Sequence, residues 1–257
     1  MPTFRLTLEY DGEEFSGWQV QPRRQAARTV QGTLEEALVR ITGQRVRVVG
    51  AGRTDAGVHA WGQVAHVEID TALGAERLCA ALRGVLPRDL TALGVEPAPR
   101  AFHARRDAIS KLYRYHIWNA EIASPLRRRR SAWFRRGLDV GLIREAACDL
   151  VGTHDFASFQ ASGSAVQSTV RTLSQLEVEG ETRGEIVLSF EGSGFLRHMV
   201  RNLVGTLAEV GTGRRAPGSM PVLLASRDRG QAGPTAPPQG LALVRVSYRD
   251  FPDISVC

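Results

Sequence analysis

The order of two kinds of apolar pattern in the first part of the chain constrains its fold more than any other feature. Strand-like alternation or β-branched composition marks four segments, at 3–10, 46–49, 63–70 and 90–95. Helical spacing of apolar residues instead marks 30–41 and 78–85. The predicted order is therefore β-α-β-β-α-β, which is typical of a sheet covered by helices on one face.

The rest of the chain mixes the same two patterns. Strands are predicted at 110–118, 173–178, 185–190 and 241–248, and helices at 143–151, 196–207 and 220–226. The helical period at 196–207 is the strongest in the chain, and it predicts that Arg197 and Arg201 leave the apolar stripe together, one turn apart. With a Pro-containing linker at 96–100, the sequence predicts the α+β class in two halves, 1–100 and 101–257.

The balance of charges points to a polyanionic partner. The 257 residues carry a formal net charge of +6 and have a pI of about 9.9, and Lys111 is the only lysine among 33 basic residues. Arginine favours bidentate phosphate contacts, so nucleic acid is an expected ligand. No apolar run reaches membrane-spanning length, the N-terminus lacks a signal-peptide pattern, and three distant cysteines suggest reduced thiols. We therefore expect a cytoplasmic protein without membrane contact.

A glycine-rich loop at 50–60 is the first candidate site. Its glycines allow sharp turns and close approach of another molecule, and it carries Arg53 and Asp55. Asp55 has two interpretations: a turn aspartate that bonds its own backbone, or a reactive carboxylate. The loop pattern alone favours the first.

Other candidates are equally open when taken singly. The basic stretch, which we define as residues 125–136, interleaves six arginines with Trp133 and Phe134, as expected for either RNA contact or a solvated surface. Tyr113 suits a strand core or a stacking platform, and Arg201 suits snorkelling or pairing with a carboxylate. No metal site is predicted, because HExxH and CxxC patterns are missing and His59 and His66 are poorly spaced for zinc.

Several blocks together resemble the tRNA pseudouridine synthase A family. They are YDG at 10–12, GWQ at 17–19, GRTDAGVHA at 52–60, FHAR at 102–105, KLYRY at 111–115, the run 195–205 and TAPPQGL at 235–241. The blocks occur in the family's order and span nearly the whole chain. The resemblance says little about residues 119–138 and 160–169.

The resemblance implies a cofactor-free isomerase of the pseudouridine synthase fold, with the active-site cleft between two related halves. It would convert uridine to pseudouridine at positions 38–40 of the tRNA anticodon arm and act as a homodimer. Asp55 matches the catalytic aspartate, Tyr113 the ring that stacks on the target base, Arg53 an arginine that enters the helix stack, and Arg201 an arginine that pairs with the aspartate. Two alternatives remain: an RNA-binding protein without catalysis, and a metal-dependent hydrolase using Asp55 with two histidines.

Overall fold

The computed structural model describes residues 1–21, 27–163 and 166–251. The chain forms two compact units. Unit 1 comprises Met1–Ile109 with Leu243–Cys257, and unit 2 comprises Ser110–Ala242. The boundary after residue 100 stays a prediction, whereas the structure places the last strand with the N-terminal part of the chain.

The described residues contain ten strands and five α-helices, which confirm the α+β class. In chain order they are β1 (Thr3–Tyr10), α1 (Val30–Thr42), β2 (Val49–Gly50), β3 (His59–Glu68), α2 (Ala75–Val85), β4 (Leu90–Ala98), β5 (Ala108–Asn119), β6 (Ala132–Phe134), α3 (Val140–Cys148), β7 (Gly152–Asp155), β8 (Val170–Gly180), β9 (Gly184–Gly192), α4 (Met199–Gly211), α5 (Met220–Ser226) and β10 (Leu241–Tyr248). The predicted β-α-β-β-α-β order of the first part is therefore correct.

Unit 1 is built on strands in the order β4-β1-β3-β10, with the short β2 on β3. The pairs β1–β3, β1–β4 and β2–β3 are antiparallel. Helix α1 begins at the cap Thr29, whose hydroxyl accepts a hydrogen bond from the Gly32 amide, and it ends at Gly43, where φ is 72°. Leu34 and Leu38, four residues apart, are fully buried, so the apolar stripe of α1 faces the core.

The strand predicted at 46–49 is largely replaced by contacts to α1. Only Val49 and Gly50 pair with β3. The Val48 amide instead donates to Glu35 Oε1 at 2.9 Å, and the Val48 carbonyl accepts from Gln31 Nε2 at 3.1 Å. The prediction was wrong because helix side chains satisfy backbone groups that a strand would otherwise pair.

The linker predicted at 96–100 is partly a strand. Strand β4 runs to Ala98, and its register on β1 places Pro97 opposite Phe4. Strand β4 lies at the edge of the sheet, where a proline without an amide hydrogen is tolerated. The Pro-containing composition therefore ended the predicted strand too early.

Unit 2 has strands in the order β5-β9-β8-β7, with β6 parallel to β5. The predicted alternation on β5 is confirmed, since Tyr113, Tyr115 and Ile117 are buried and the residues between them are half-buried. Helix α3 is capped by Asp139, whose carboxylate accepts from the Leu142 amide. Helix α4 is buried along most of its length.

Arg197 does not share helix α4 with Arg201, contrary to the prediction. His198 has φ 59°, in the left-handed region, and α4 starts at Met199. The Arg197 carbonyl accepts from the Ala161 amide, and its guanidinium donates to the Ser162 carbonyl at 3.0 Å. Arg197 thus contacts the segment predicted as a loop at 160–169, of which residues 164 and 165 lie outside the described residues.

The helices and the cysteines bear on membrane contact and on disulfide bonding. Within residues 1–21, 27–163 and 166–251, the helices are all too short or too polar to cross a membrane. Cys79 is buried and Cys148 is exposed, and both are free thiols. Cys257 lies outside the described residues.

Candidate active site

Residues 51–58, which we call the aspartate loop, connect β2 to β3 and carry Arg53 and Asp55. The loop starts with a hydrogen bond from the Ala51 amide to the Val64 carbonyl at 2.7 Å and closes with one from the Val58 amide to the Asp55 carbonyl at 3.1 Å. Asp55 is half-buried and Arg53 is exposed. The predicted position of the loop between two strands is confirmed.

A second segment, residues 11–18, holds the aspartate loop from its other side, and we call it the clamp segment. The Trp18 amide donates to the Thr54 carbonyl at 3.0 Å, and the Gly57 amide donates to the Phe15 carbonyl at 3.3 Å. These two bonds flank Asp55 in the chain. The backbone that carries the carboxylate is therefore fixed immediately before and after it.

Two glycines of the clamp segment make this close approach possible. A Cβ atom on Gly12 would overlap the carbonyl of Val58. Gly17 has φ 92°, and a Cβ there would lie 2.8 Å from the Thr54 carbonyl oxygen. Only glycine fits either position without displacing the aspartate loop.

A network of buried, hydrogen-bonded side chains supports the aspartate loop from the protein interior. The Tyr10 hydroxyl lies 2.8 Å from Thr54 Oγ1, and Gln63 Nε2 donates to the Tyr10 hydroxyl at 3.3 Å and to the Gly52 carbonyl at 3.1 Å. Burial raises the pKa of Tyr10 to about 12, against the hydrogen bonds from Thr54 and Gln63 that lower it. Sequence reasoning missed these residues, although Gln63 falls on the same face of its predicted strand as Ala65 and Val67, and a glutamine on an apolar face was a usable signal.

The surroundings of Arg53 are cationic. The pKa of Arg53 is lowered by partial burial and then by the nearby charges of Arg105 and Arg47. Arginine nevertheless keeps its charge in proteins. An exposed cation two residues from Asp55 is thus held among like charges.

Two histidines near the loop bind backbone amides of neighbouring segments. His59 Nδ1 accepts from the Gly12 amide at 3.0 Å and lies 3.1 Å from Asp11 Oδ1. His66 Nδ1 accepts from the Ala104 amide at 3.1 Å. Within the described ranges, His, Cys, Asp and Glu side chains do not gather in groups of three or more that could hold a metal ion.

Tyr113 lies in unit 2, at the buried face of β5. Its side chain is 7% exposed, and its register partner on β9 is Phe190. The ring of Phe195 meets the Tyr113 ring edge-on, with 5.1 Å between centroids. This edge-on contact has a geometry that aromatic pairs favour, and stacking of a base on Tyr113 stays a prediction.

Arg201 is held to the segment 235–237 by its own backbone and side chain. Its Nε donates to the Ala236 carbonyl at 2.7 Å, and its carbonyl accepts from the Ala236 amide at 3.0 Å. A Cβ on Gly205, one turn along α4, would overlap the Pro234 carbonyl. The approach of this segment to α4 therefore depends on glycine.

Asn202 on α4 also binds the segment that contacts Arg201. It is fully buried, and its Oδ1 accepts from Thr235 Oγ1 at 2.6 Å and from Arg229 at 3.1 Å. Its amide donates to the Phe159 carbonyl at 2.7 Å. Sequence reasoning missed Asn202 and Thr235, although both belong to the resembling blocks.

The basic stretch is a surface segment that contacts both its own turn and neighbouring strands. The Arg127 guanidinium bonds Glu185 at 2.7 Å and lies 4.6 Å from the centroid of the Trp118 ring. Arg128 donates to the Pro125 carbonyl at 3.0 Å. Trp133 donates to a backbone carbonyl and remains 47% exposed. RNA contact by this stretch stays a prediction.

The predicted site residues thus fall into two groups. Arg53 and Asp55 share one loop of unit 1, while Tyr113 and Arg201 belong to unit 2. Within each unit the backbone around the predicted residue is fixed by chain-distant contacts. The pairing of Asp55 with Arg201 stays a prediction.

Comparison with known proteins identifies the family. A family model described as tRNA pseudouridine synthase matches residues 7–106 and 146–249. Among curated relatives, tRNA pseudouridine synthase A of Myxococcus xanthus is 45% identical over 98% of this chain and 94% of that protein. The enzyme of the same name from Moorella thermoacetica is 47% identical over 96% of this chain and 100% of that protein.

A solved structure titled "Crystal Structure of a Cbf5-Nop10-Gar1 Complex" matches with TM-score 0.39 and 11% identity, over 95% of this chain and 59% of that one, which is too weak a likeness to support an argument. The family model and the curated relatives suffice, because both cover most of the chain. This chain belongs to the tRNA pseudouridine synthase family.

Proposed function

We propose that this protein isomerises uridine to pseudouridine at positions 38, 39 and 40 in the anticodon stem-loop of tRNA, in the cytoplasm and as a homodimer without a cofactor. Its similarity to curated tRNA pseudouridine synthases over nearly the whole chain supports the reaction and the substrate. One structural observation carries the assignment of the reactive group. It is the half-buried Asp55, held in a loop whose backbone is fixed on both sides by the clamp segment.

The reaction needs few catalytic groups, because it is an isomerisation: no second reactant is consumed, and the uracil stays with its own nucleotide. The N1–C1′ bond of the nucleotide breaks, the uracil turns, and a C5–C1′ bond forms. The proton on C5 is lost and N1 gains one, so atoms and charge balance. One carboxylate suffices as nucleophile or base, by a logic shared with glycosidases. Attack on C1′, attack on C6 and removal of the 2′ proton all suit Asp55.

Access to the base requires base flipping. A uridine stacked in a stem must leave the stack, which costs a few kcal/mol. Stacking on Tyr113, worth roughly 1–3 kcal/mol, offsets part of this cost. We propose that Arg53 enters the vacated space in the stack and that Arg201 supplies the counter-charge of Asp55. A water-excluding pocket then protects the intermediate from hydrolysis.

The test is incubation of the purified protein with an unmodified tRNA transcript that carries uridine at 38–40. Release of the C5 hydrogen, followed with tritium-labelled uridine, measures turnover, and chemical mapping gives the positions. We expect pseudouridine at 38–40 only, and none in a control transcript with cytidine at those three positions.

Other outcomes would contradict the proposal. Binding of tRNA without any hydrogen release would favour the RNA-binding alternative. Turnover abolished by a chelator, with a hydrolysed product, would favour the hydrolase alternative. Pseudouridine outside the anticodon arm would retain the reaction and overturn the site choice.

A further inference from the structure

The turn at residues 102–107, which we call the arginine turn, is anchored in unit 1 more firmly than an exposed turn requires. Its residue Ala104 is bound on both backbone groups by buried side chains. The Ala104 amide donates to His66 Nδ1 at 3.1 Å, and the Ala104 carbonyl accepts from the Tyr248 hydroxyl at 2.6 Å. The turn is therefore tied to β3 and to β10 at once.

Hydrogen bonds within the turn fix the next residues as well. His103 Nδ1 faces the amides of Arg105 and Arg106, at 3.2 and 3.3 Å. The Asp107 carboxylate accepts from the His103 amide at 2.7 Å. The side chains of Arg105 and Arg106 are exposed. A rigid backbone thus presents two cations to solvent.

The arginine turn and the aspartate loop are attached at the same place on β3. His66, which binds the turn, is the register partner of Val49 in β2. Arg47 precedes β2 and Arg53 follows it. The lowered pKa of Arg53, caused after burial by Arg105 and Arg47, agrees with this placement of three cations in one region.

Among the described residues, Arg53, Arg105 and Arg106 lack the carboxylate partner that other arginines of unit 1 have, including Arg47, whose Nε lies 3.9 Å from Glu35 Oε1. Arg28 makes a bidentate pair with Asp89, at 2.6 and 2.7 Å. Within the described part of the chain, no carboxylate oxygen lies within 4.0 Å of the guanidinium of Arg53, Arg105 or Arg106. Like charges held together without a counter-ion repel each other, and an anionic ligand relieves that repulsion.

We propose that the arginine turn is an RNA-backbone site, in which Arg105 binds a phosphate of the tRNA beside the aspartate loop, next to the Arg53 that enters the base stack. A guanidinium makes paired hydrogen bonds to a phosphate, and the fixed backbone of the turn reduces the entropy lost on binding. The identity of the ligand as tRNA rests on the proposed function. The site assigns a binding role to Arg105, and positioning roles to His66 and Tyr248.

The probe is the unmodified tRNA transcript, and the measurement is its Kd as a function of salt concentration. For Arg105→Ala we expect a three- to tenfold higher Kd at about 0.1 M salt, and a slope of log K against log salt that is shallower by about 0.7–0.9. Arg77→Ala, which removes another exposed arginine of unit 1, is the matched control and should leave the slope unchanged. An equal change in both variants, or no change in Arg105→Ala, would overturn the proposal.

A second variant separates charge from folding. Arg105→Lys keeps the cation and should keep the wild-type slope with a smaller loss of affinity, because an ammonium group cannot make the paired contact. Should Arg105→Ala lower the melting temperature, Arg105→Gln is measured in the same way. A slope equal to that of the wild type in the folded neutral variant would then reject the site.

The proposed function can fail separately from this site. If the wild type binds tRNA and makes no pseudouridine, while Arg105→Ala still flattens the salt slope, the isomerase proposal fails and the phosphate site stands. If the wild type makes pseudouridine and the slope does not respond to Arg105→Ala, only the phosphate site fails.

Discussion

The aspartate loop and the basic stretch are both polar surface segments, but they differ in how the rest of the chain holds them. The aspartate loop is bound on each side of Asp55 by the clamp segment, and Tyr10 and Gln63 support it from the interior. In the basic stretch, residues 125–130 bond mainly to their own turn and to Glu185 at the surface, and only the end of the stretch, with β6, is held to β5. The backbone around Asp55 is thus fixed by distant parts of the chain, and the backbone of residues 125–130 chiefly by local contacts.

The difference follows from what each segment is proposed to do. A reacting carboxylate must lie within a fraction of an ångström of its target, so its backbone has to be held in advance. A phosphate contact acts through a charge whose effect changes slowly with distance, so a looser surface segment suffices. Variants in the aspartate loop should therefore change turnover, and variants in the basic stretch should change affinity.

The largest effect is expected from Asp55→Asn. The amide cannot act as nucleophile or base, so turnover should fall by at least about a thousandfold. The Kd for tRNA should stay within about twofold of the wild-type value, because the arginines are unchanged. Single-turnover assays and a binding titration measure the two quantities, with the exposed Asp70→Asn as control. Retained turnover in Asp55→Asn would remove the distinction between the two segments.

The next largest effect is expected from Gly12→Ala. The added methyl group would displace the Val58 carbonyl and with it the end of the aspartate loop. We expect the free energy of unfolding to fall by about 1–3 kcal/mol and turnover to fall further than the loss of folded protein explains. Gly84→Ala, in the last turn of α2 where an added Cβ would meet nothing within 4 Å, is the control and should stabilise by up to about 0.5–1 kcal/mol. Equal behaviour of the two variants in denaturant titration would show that the clamp is not tight.

A moderate effect is expected from Tyr10→Phe. Loss of the hydroxyl leaves Thr54 and Gln63 without this partner, and the loop gains freedom around Asp55. We expect kcat to fall about tenfold, equal to about 1.4 kcal/mol, with little change in tRNA affinity. Ser158→Ala, which removes a buried hydroxyl bonded to the Leu223 carbonyl in unit 2, should reduce stability and leave kcat unchanged. A kcat for Tyr10→Phe equal to that of Ser158→Ala would argue against a positioning role.

A smaller effect is expected from the basic stretch. Replacing Arg127, Arg128, Arg129 and Arg130 together by alanine should raise the Kd for tRNA and flatten its salt dependence, by up to about 0.9 in the slope for each phosphate that the protein no longer neutralises. At saturating tRNA, turnover should stay close to the wild-type value. Loss of turnover with an unchanged salt slope would reverse the comparison between the two segments.

The smallest effect concerns pH. Burial, followed by the charge of His103, lowers the pKa of His66, and burial lowers that of His116 in spite of Glu185. An unfolded histidine titrates near pH 6.5. The unfolded state therefore binds more protons as the pH falls below about 6.5, and this stabilising contribution is present above that pH and lost below it.

Thermal unfolding at pH 7.5 and 5.5 measures the effect. We expect a melting temperature a few degrees lower at pH 5.5, with a smaller drop in His66→Gln, whose side-chain oxygen can still accept from the Ala104 amide. His116→Gln gives the corresponding measurement next to the basic stretch. A drop of unchanged size in both variants would show that other groups control the pH dependence.

Much of the fold could be predicted from the sequence, because periodicity is a local property. Burial on one face gives a repeat of two in β1 and β5 and of 3.6 in α1 and α4, whatever the rest of the chain does. The predicted elements were wrong where contacts with another segment determine the local structure. Val48 bonds to helix side chains, and an edge strand accepts Pro97. His198, in the left-handed region, makes the helix begin after Arg197.

The sequence by itself determined the family, the class of fold and the candidate residues, since these depend on residue types in order along the chain. The tertiary structure decided which segments act together. It joined the clamp segment to the aspartate loop, and the arginine turn to His66 on β3. Such contacts join backbone and side-chain groups about 40 residues apart in sequence, and their geometry exists only when the strands between them are paired.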